Sequence, residues 1–136
     1  MQPPVDKLPA FQAQLLADGL RELFGDLGED TLAALQPMLE WVEVAGGEVI
    51  LRQGSTDRDV YFVICGRLRA YREEGGQRRP LSEIGRGEAI GEMAFFTGSP
   101  RYATVVAMRD SVLVRIGHPG LEKLLTQFPQ VTLSMT

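Results

Sequence analysis

The chain has little cysteine, little histidine and no long hydrophobic run, and each scarcity excludes a class of protein. Its 136 residues include one Cys and one His. One cysteine excludes an internal disulfide framework, and one histidine without a second soft ligand argues against a metal site. No apolar stretch approaches the roughly 20 residues of a membrane-spanning helix, and no basic start and apolar run indicate a signal peptide. These absences predict a cytoplasmic module with one domain-sized core.

A basic excess is also missing. The net charge is -4 and the isoelectric point is near 5.0, which argues against direct nucleic-acid binding. A group of arginines falls partly on alternate residues of a predicted strand, with Glu73, Glu74 and Glu83 nearby to pair with them, which predicts a solvated sheet face. That group is Arg67, Arg69, Arg72, Arg78, Arg79 and Arg86.

Motifs of catalysis are absent as well. There is no Gly-x-Ser-x-Gly elbow, so no hydrolase nucleophile is indicated. Cys65 ends an apolar run and is predicted to be a small core residue, whereas His118 is predicted to start a helix. Asp57 and Asp59 are interpreted as solvated turn residues rather than a carboxylate pair. The sequence therefore predicts no catalytic residue, no metal and no cofactor.

Hydrophobic periodicity predicts helices at both ends of the chain. Residues Pro9 to Phe24 and Glu29 to about Leu39 place apolar residues on one helical face, with Pro37 kinking the second helix or ending it early. A third helix around Leu121 to Phe128 shows the same spacing. The predicted divisions are an N-terminal helical segment at 1–40, a middle region at 41–117 and a C-terminal segment at 118–136.

From Trp41 the apolar period changes to two, which is typical of strands. Val60 to Cys65 is a continuous apolar run and is predicted to be buried on both faces. Glycine turns recur every 8 to 12 residues, and further strands are predicted up to Ile84, over Arg101 to Met108 and over Val112 to Ile116. The pattern predicts a mainly β fold with flanking helices, in which eight short antiparallel strands form a jelly-roll-like β-roll.

The segment Gly-Glu-Met-Ala-Phe-Phe-Thr-Gly-Ser-Pro-Arg-Tyr-Ala-Thr-Val, residues 91 to 105, suits a phosphate and a sugar hydroxyl together. A short helix is predicted to follow Gly91, whose missing side chain lets backbone and ligand approach closely. The first amides of that helix, from Glu92, Met93 and Ala94, attract an anion. The guanidinium of Arg101 is planar and charged, and its N–H groups can donate to phosphate oxygens. The Glu92 carboxylate can accept a hydrogen bond from a hydroxyl.

Glu92 and Arg101 also have a purely structural interpretation. An acidic residue is favourable in the first turn of any helix, and Arg101 would serve as its salt-bridge partner. The order of the surrounding residues favours the binding interpretation, because it resembles the phosphate-binding cassette of cyclic-nucleotide-binding domains. That cassette runs Gly-Glu-aliphatic-Ala, a short spacer and Pro-Arg-small-Ala-Thr-Val.

The resemblance extends over roughly residues 30 to 128. Gly47-Glu48-Val49-Ile50 with Arg52-Gln53-Gly54 resembles the family's second-strand motif, and Gly66-Arg67-Leu68 resembles its central turn. It implies an eight-stranded β-roll with a cassette at 91–104 and the nucleotide inside the roll. The residues it assigns to the ligand are Gly91, Glu92, Met93, Ala94, Arg101, Tyr102 and Ala103. The implied function is a regulatory domain that binds cAMP or cGMP and signals to a downstream output domain of the same chain.

Tyr102 departs from the family pattern, which has a small or hydroxylated residue after the arginine. A phenol there either stacks on the purine or contacts the phosphate, or it fills the space that the nucleotide needs. The second alternative makes the chain a degenerate β-roll that acts as a protein-interaction module. The missing Ser or Thr removes a common basis for preferring cGMP, so cAMP is the favoured ligand.

The end of the chain departs from the pattern too. The family's long lid helix is represented only by Gln130 to Thr136, so the chain is expected to be a piece of a larger protein. Trp41 to Gly47 and Glu92 to Arg115 resemble the regulatory domains of patatin-like phospholipases of the neuropathy target esterase type. The expected partners are a cyclic nucleotide and an adjoining domain, without direct nucleic-acid or membrane contact, and an oligomer is possible.

Overall fold

The computed structural model describes residues 10–24, 28–127 and 129, in the order helices, strands, helix. The helices are α1 (Ala10–Phe24), α2 (Glu29–Leu35), α3 (Glu92–Thr97) and α4 (His118–Gln127). The strands are β1 (Leu39–Val44), β2 (Val49–Leu51), β3 (Val60–Cys65), β4 (Leu68–Glu74), β5 (Gln77–Ile84), β6 (Ala89–Ile90), β7 (Thr104–Ala107) and β8 (Ser111–Ile116). The predicted mainly β fold with eight strands and flanking helices is confirmed.

The strands form two four-stranded antiparallel sheets that face each other. The first sheet has the order β1-β8-β3-β6, and the second has the order β2-β7-β4-β5. Consecutive strands repeatedly change sheet, so the chain winds as a roll rather than as a simple meander. The cassette helix α3 lies between β6 of one sheet and β7 of the other.

Strand β3 shows why the core has two layers. Its residues Val60, Phe62 and Ile64 pack with the helices, whereas Val63 packs with residues of the second sheet. Because successive strand side chains point to opposite faces, one continuous apolar run supplies both layers. Four of the six residues are buried, which confirms the prediction of burial on both faces, but Cys65 is only half-buried rather than a core residue.

Helices α1, α2 and α4 each pack one or two residues against the outer face of the first sheet. Leu16 and Leu20 of α1, Leu35 of α2, and Leu121 and Leu124 of α4 are all buried in the same apolar cluster. These are the positions that the helical periodicity predicts to face the core. Phe128, which the sequence places on the same face of α4, lies outside the described residues, as do residues 130–136.

Two element boundaries and one short strand differ from the sequence prediction. The second helix ends at Leu35, and a 3-10 turn over Gln36–Met38 leads directly into β1, because Pro37 lacks the N–H that another α-helical turn needs. The strand predicted from Arg101 begins only at Thr104, and β6 was not predicted, since two residues give no readable alternation.

The arginine-rich segment forms a solvated sheet face, as predicted. Exposed ion pairs join Arg67 to Glu83 at 2.7 Å and Arg79 to Glu74 at 2.9 Å. Hydrogen bonding from Arg67 lowers the pKa of the Glu83 carboxyl below its ordinary value. Glu74 lies on β4, Arg79 and Glu83 lie on β5, and Arg67 directly precedes β4. Strand β5 is an edge strand, and its Pro80 is tolerated because an edge strand needs fewer ladder hydrogen bonds.

Two kinds of feature are absent from the described part of the chain. No helix there is both long and apolar enough to cross a membrane. Nor do three or more His, Cys, Asp or Glu side chains of those residues come together as metal ligands.

Candidate functional site

Gly91 shapes the start of the cassette helix. Its φ is 90°, a left-handed conformation that favours glycine, and it is the N-cap of α3. A Cβ built on Gly91 would lie 2.6 Å from Arg101 Nη1 and 2.7 Å from the Asp59 carbonyl oxygen. Glycine is therefore required here for two reasons: the backbone conformation, and the close approach of the Arg101 guanidinium.

The guanidinium of Arg101 is enclosed in the protein. The residue is 3% exposed. Its Nη1 donates to the Gly91 carbonyl oxygen at 3.0 Å, and its Nη2 donates to the Asp57 carboxylate and the Asp59 carbonyl oxygen, both at 2.7 Å. A buried cation with this many acceptors is held in one orientation. Glu92 is not its partner here, so the simple Glu92–Arg101 salt bridge is not what the structure contains.

The backbone of Arg101 is fixed as tightly as its side chain. The Arg101 N–H donates to the Ser55 carbonyl oxygen at 2.7 Å, and the Gly54 N–H donates to the Arg101 carbonyl oxygen at 2.8 Å. This pairing with the loop after β2 explains why β7 starts only at Thr104. It also brings the loop over residues 54–59 against the cassette.

Asp57 is an exposed loop residue, as the sequence indicated, whereas Asp59 is largely buried, and both have partners that the sequence did not indicate. The Asp57 carboxylate pairs with Arg101, whose hydrogen bond holds the pKa of that carboxyl below its ordinary value. The Asp59 side chain is 17% exposed and lies 3.0 Å from Arg115 Nε. Its Oδ1 accepts the His118 N–H at 2.9 Å, at the start of α4. Local sequence could not reveal these roles, because all three partners are more than 40 residues distant.

Arg58, between these two aspartates, binds the other end of the cassette helix. Its Nη2 donates to the Phe95 carbonyl oxygen at 2.5 Å, and its Nε donates to the Ala94 carbonyl oxygen at 3.4 Å. A cation is favourable at carbonyls near a helix C-terminus, where the peptide dipoles place negative charge. Residues Asp57, Arg58 and Asp59 thus connect Arg101, α3 and α4 from one short loop, which the sequence analysis missed.

The predicted ligand residues line one cavity of about 310 Å³, the size of a small-molecule site. All seven are there: Gly91, Glu92, Met93, Ala94, Arg101, Tyr102 and Ala103. The remaining lining residues come from both sheets and are mostly apolar: Leu51, Ala70, Ser82, Ile84, Ala89, Ile90 and Val105. The cavity therefore joins a polar end at the cassette to an apolar interior of the roll. That these residues bind a ligand stays a prediction.

Two buried polar atoms of residues that line this cavity lack partners. Glu92 Oε2 and Arg101 Nε are both inaccessible to solvent and accept or donate no hydrogen bond among the described residues. An unsatisfied buried polar group costs free energy, and more so when it belongs to a charged group. One atom is an acceptor and the other a donor, so the pair fits a ligand that carries both a hydroxyl and an anionic oxygen.

Tyr102 lies at the rim of the cavity and is 60% exposed. Its ring is stacked under the Arg72 guanidinium, with 4.3 Å between the guanidinium carbon and the ring centroid. The exposed ring is inconsistent with a phenol buried in the space that a ligand would fill.

Comparison with known proteins agrees with this geometry. The family model described as "Cyclic nucleotide-binding domain" matches residues 41–128, which include both sheets and the whole cassette. The chain belongs to the cyclic nucleotide-binding domain family. The resemblance in the cassette and second-strand motifs is thereby confirmed, and the domain is a binding module rather than an enzyme by itself.

Similar curated proteins are much longer than this domain. Lysophospholipase nte1 of Aspergillus fumigatus is 37% identical over 99 residues, which are 72% of this chain and 6% of that protein. Patatin-like phospholipase domain-containing protein 7 of Rattus norvegicus is 38% identical over 94 residues, which are 68% of this chain and 7% of that protein. The predicted similarity to regulatory domains of this phospholipase type is confirmed, and the chain spans less than a tenth of such proteins.

A solved structure with the same fold holds a nucleotide. The regulatory domain of Toxoplasma gondii PKA with cAMP has a TM-score of 0.79 and 25% sequence identity, and the match covers 87% of this chain and 46% of that one.

Proposed function

We propose that this domain is a cyclic-nucleotide sensor that binds cAMP in preference to cGMP and signals to an adjoining domain of a larger protein. Membership of the cyclic nucleotide-binding domain family gives the general function. The observation that carries the specific proposal is the pair of unpartnered buried atoms, Glu92 Oε2 and Arg101 Nε, in one cavity.

A cyclic nucleotide complements both atoms. Its phosphodiester carries one negative charge and bonds to Arg101 Nε and the first amides of α3, which have no acceptor within the helix. Its free ribose 2′-hydroxyl donates to Glu92 Oε2, because an ionised carboxylate accepts only. The cavity of about 310 Å³ continues into an apolar interior that suits the flat base.

The preference for cAMP is supported by position 102. A serine or threonine there is a common basis for binding guanine in this family, and the chain has Tyr102 instead. Ser82 contributes an uncharged hydroxyl to the otherwise apolar part of the cavity. We therefore expect a modest preference rather than an absolute one.

Signalling is supported by the loop that connects Arg101 to α4. Asp59 accepts from Arg101 through its carbonyl oxygen and from the His118 N–H through its carboxylate. Phosphate capture that shifts Arg101 therefore perturbs the start of α4, which packs in the same apolar cluster as α1. A ligand that favours one arrangement of these helices shifts their population. The similar lysophospholipases suggest that the adjoining domain is a phospholipase.

Calorimetric titration with cAMP and cGMP, beside 2′-deoxy-cAMP, tests the proposal. We expect saturable binding of both natural nucleotides and weaker binding of the deoxy analogue. Glu92→Gln should weaken cAMP binding by roughly 10-fold or more, since a charge-assisted hydrogen bond contributes about 1.5–3 kcal/mol. It should leave 2′-deoxy-cAMP binding almost unchanged, because that ligand lacks the hydroxyl.

Arg101→Ala should weaken all three ligands by at least roughly one order of magnitude. Its matched control is Arg69→Ala, which removes the same charge from an exposed residue of β4. Arg101 is buried and its side chain binds three acceptors, so its removal also destabilises the fold. Glu92→Gln is therefore the decisive variant, because Glu92 Oε2 has no described partner to lose. Absence of binding to the wild-type domain at millimolar nucleotide would refute the sensor and favour a ligand-free interaction module.

A further inference from the structure

Tyr102 and two neighbouring arginines form an arrangement that the family resemblance does not explain. Resting on the proposed function, we propose that Tyr102 is the platform on which the purine base of the ligand stacks, and that Arg72 and Arg79 are the residues that position it. The inference concerns base recognition, whereas Glu92 and Arg101 concern the sugar and the phosphate.

Three contacts hold Tyr102 at the cavity rim. The Arg72 guanidinium covers one face of the ring at 4.3 Å from the centroid, and its Nη1 donates to the Tyr102 carbonyl oxygen. The Nη2 of Arg79 donates to the phenol oxygen at 3.4 Å. A ring fixed at its face, its backbone and its hydroxyl loses little conformational freedom when a ligand binds.

The two arginines are themselves held by one carboxylate. Glu74 Oε1 accepts from Arg72 Nε at 3.0 Å and from Arg79 Nη2 at 2.9 Å. Their charge is thereby partly neutralised, and their donors point to Glu74 and Tyr102. This group of Arg72, Glu74 and Arg79 therefore acts as a clamp on the ring rather than as a second phosphate site.

The face of the ring opposite Arg72 is available to a ligand. Tyr102 remains 60% exposed although one face is covered, and it lines the same cavity as Glu92 and Arg101. Sequence position supports the geometry, because Tyr102 directly follows Arg101 and so lies one residue from the phosphate contact. A base stacked on this face would lie between Tyr102 and the apolar residues of the roll.

Stacking on an aromatic ring raises the binding affinity of any purine. Any base has a π-face, so an aromatic platform adds affinity without reading the donor and acceptor pattern of the base. The cation on the covered face attracts the ring electrons and holds the ring flat against Arg72. We therefore expect Tyr102 to raise the affinity for cAMP and cGMP by similar factors.

The experiment compares cAMP with ribose 3′,5′-cyclic phosphate, which has the same sugar and phosphate but no base. Tyr102→Ala should weaken cAMP binding by roughly 5- to 150-fold, as loss of a base–aromatic stack does, and leave the baseless ligand unchanged. Tyr102→Phe keeps the ring and should retain most of the cAMP affinity. Arg72→Met should give a cAMP affinity between those of Tyr102→Ala and Tyr102→Phe, because the ring remains but the guanidinium that holds it is lost.

Each outcome is decisive. Equal weakening of cAMP and the baseless ligand by Tyr102→Ala would show that Tyr102 supports the cassette and does not touch the base. Tighter cAMP binding by Tyr102→Ala would show that the phenol obstructs the site. Both results would overturn the platform while leaving the sensor intact, whereas a wild-type domain that binds neither ligand would refute the sensor and the platform together. Because Tyr102 is exposed, its variants should fold, and thermal unfolding without ligand checks this.

Discussion

Gly91→Ala is the substitution for which the structure predicts the clearest effect. The new methyl group would lie 2.6 Å from Arg101 Nη1 and 2.7 Å from the Asp59 carbonyl oxygen, closer than real Cβ contacts. The residue would also have to keep φ near 90°. Either the backbone turns or the Arg101 guanidinium moves, and both changes alter the cassette.

The expected cost has two parts. A left-handed conformation costs a non-glycine residue about 1–2 kcal/mol. Displacing Arg101 also breaks at least its hydrogen bond to the Gly91 carbonyl oxygen, and a bond from a charged group contributes about 1.5–3 kcal/mol. We therefore expect a total loss of about 2.5–5 kcal/mol in the free energy of unfolding, a large fraction of the stability of a small domain.

Gly98→Ala separates the two parts. Gly98 caps the other end of α3 with φ 71°, but a Cβ built there meets nothing within 4 Å. The Gly98→Ala variant should lose only the conformational part of the free energy of unfolding, about 1–2 kcal/mol. Urea denaturation of both variants gives the difference, and cAMP titration should show a loss for Gly91→Ala alone. Equal stability and equal nucleotide affinity in the two variants would refute the role assigned to Gly91.

Two charge variants test the ion pairs. Asp57→Asn should destabilise the domain at neutral pH, because Arg101 lowers the pKa of the Asp57 carboxyl in the folded state. That stability is present above the ordinary carboxyl pKa of 3.8 and is lost as the pH falls through the lower folded value. In urea denaturation, the difference in stability between wild type and variant should therefore narrow as the pH falls below 3.8. A gap independent of pH would contradict this. Glu83→Gln removes an exposed pair with Arg67 and should leave the denaturation midpoint unchanged at neutral pH, as most surface pairs do; a clear loss would show that the sheet-face charges matter.

Most of the architecture follows from local pattern. The apolar run Val60 to Cys65 predicts a strand buried on both faces, and the helical spacing of Leu121 and Leu124 predicts a face against the core. Both are found, because strand and helix periodicity each reflect which side of one element meets water. Where a boundary failed, as at Arg101, the deciding hydrogen bonds came from the distant residues Gly54 and Ser55.

In the candidate site, too, local sequence predicts some features and misses others. The order Gly, Glu, short helix, Pro-Arg predicts where Gly91, Glu92 and Arg101 meet, because they lie within eleven residues of one another. The partners of the loop residues Asp57 and Asp59 were missed, since a turn aspartate without a partner and one that pairs with a buried arginine have the same local sequence. Only a folded chain shows which it is.

The sequence by itself determined the family, the double-sheet roll and the polar residues of the cassette, because each depends on short-range spacing and side-chain type. Tertiary structure decided which of those polar groups are satisfied. Asp57, Asp59 and Gly91 saturate most of the Arg101 fork, while Glu92 Oε2 and Arg101 Nε stay buried without partners among the described residues. It also decided the position of Tyr102 at the rim of the cavity, where its ring is held by Arg72, thirty residues earlier. Pairings between distant segments depend on how the two sheets close on each other, and no local pattern encodes that.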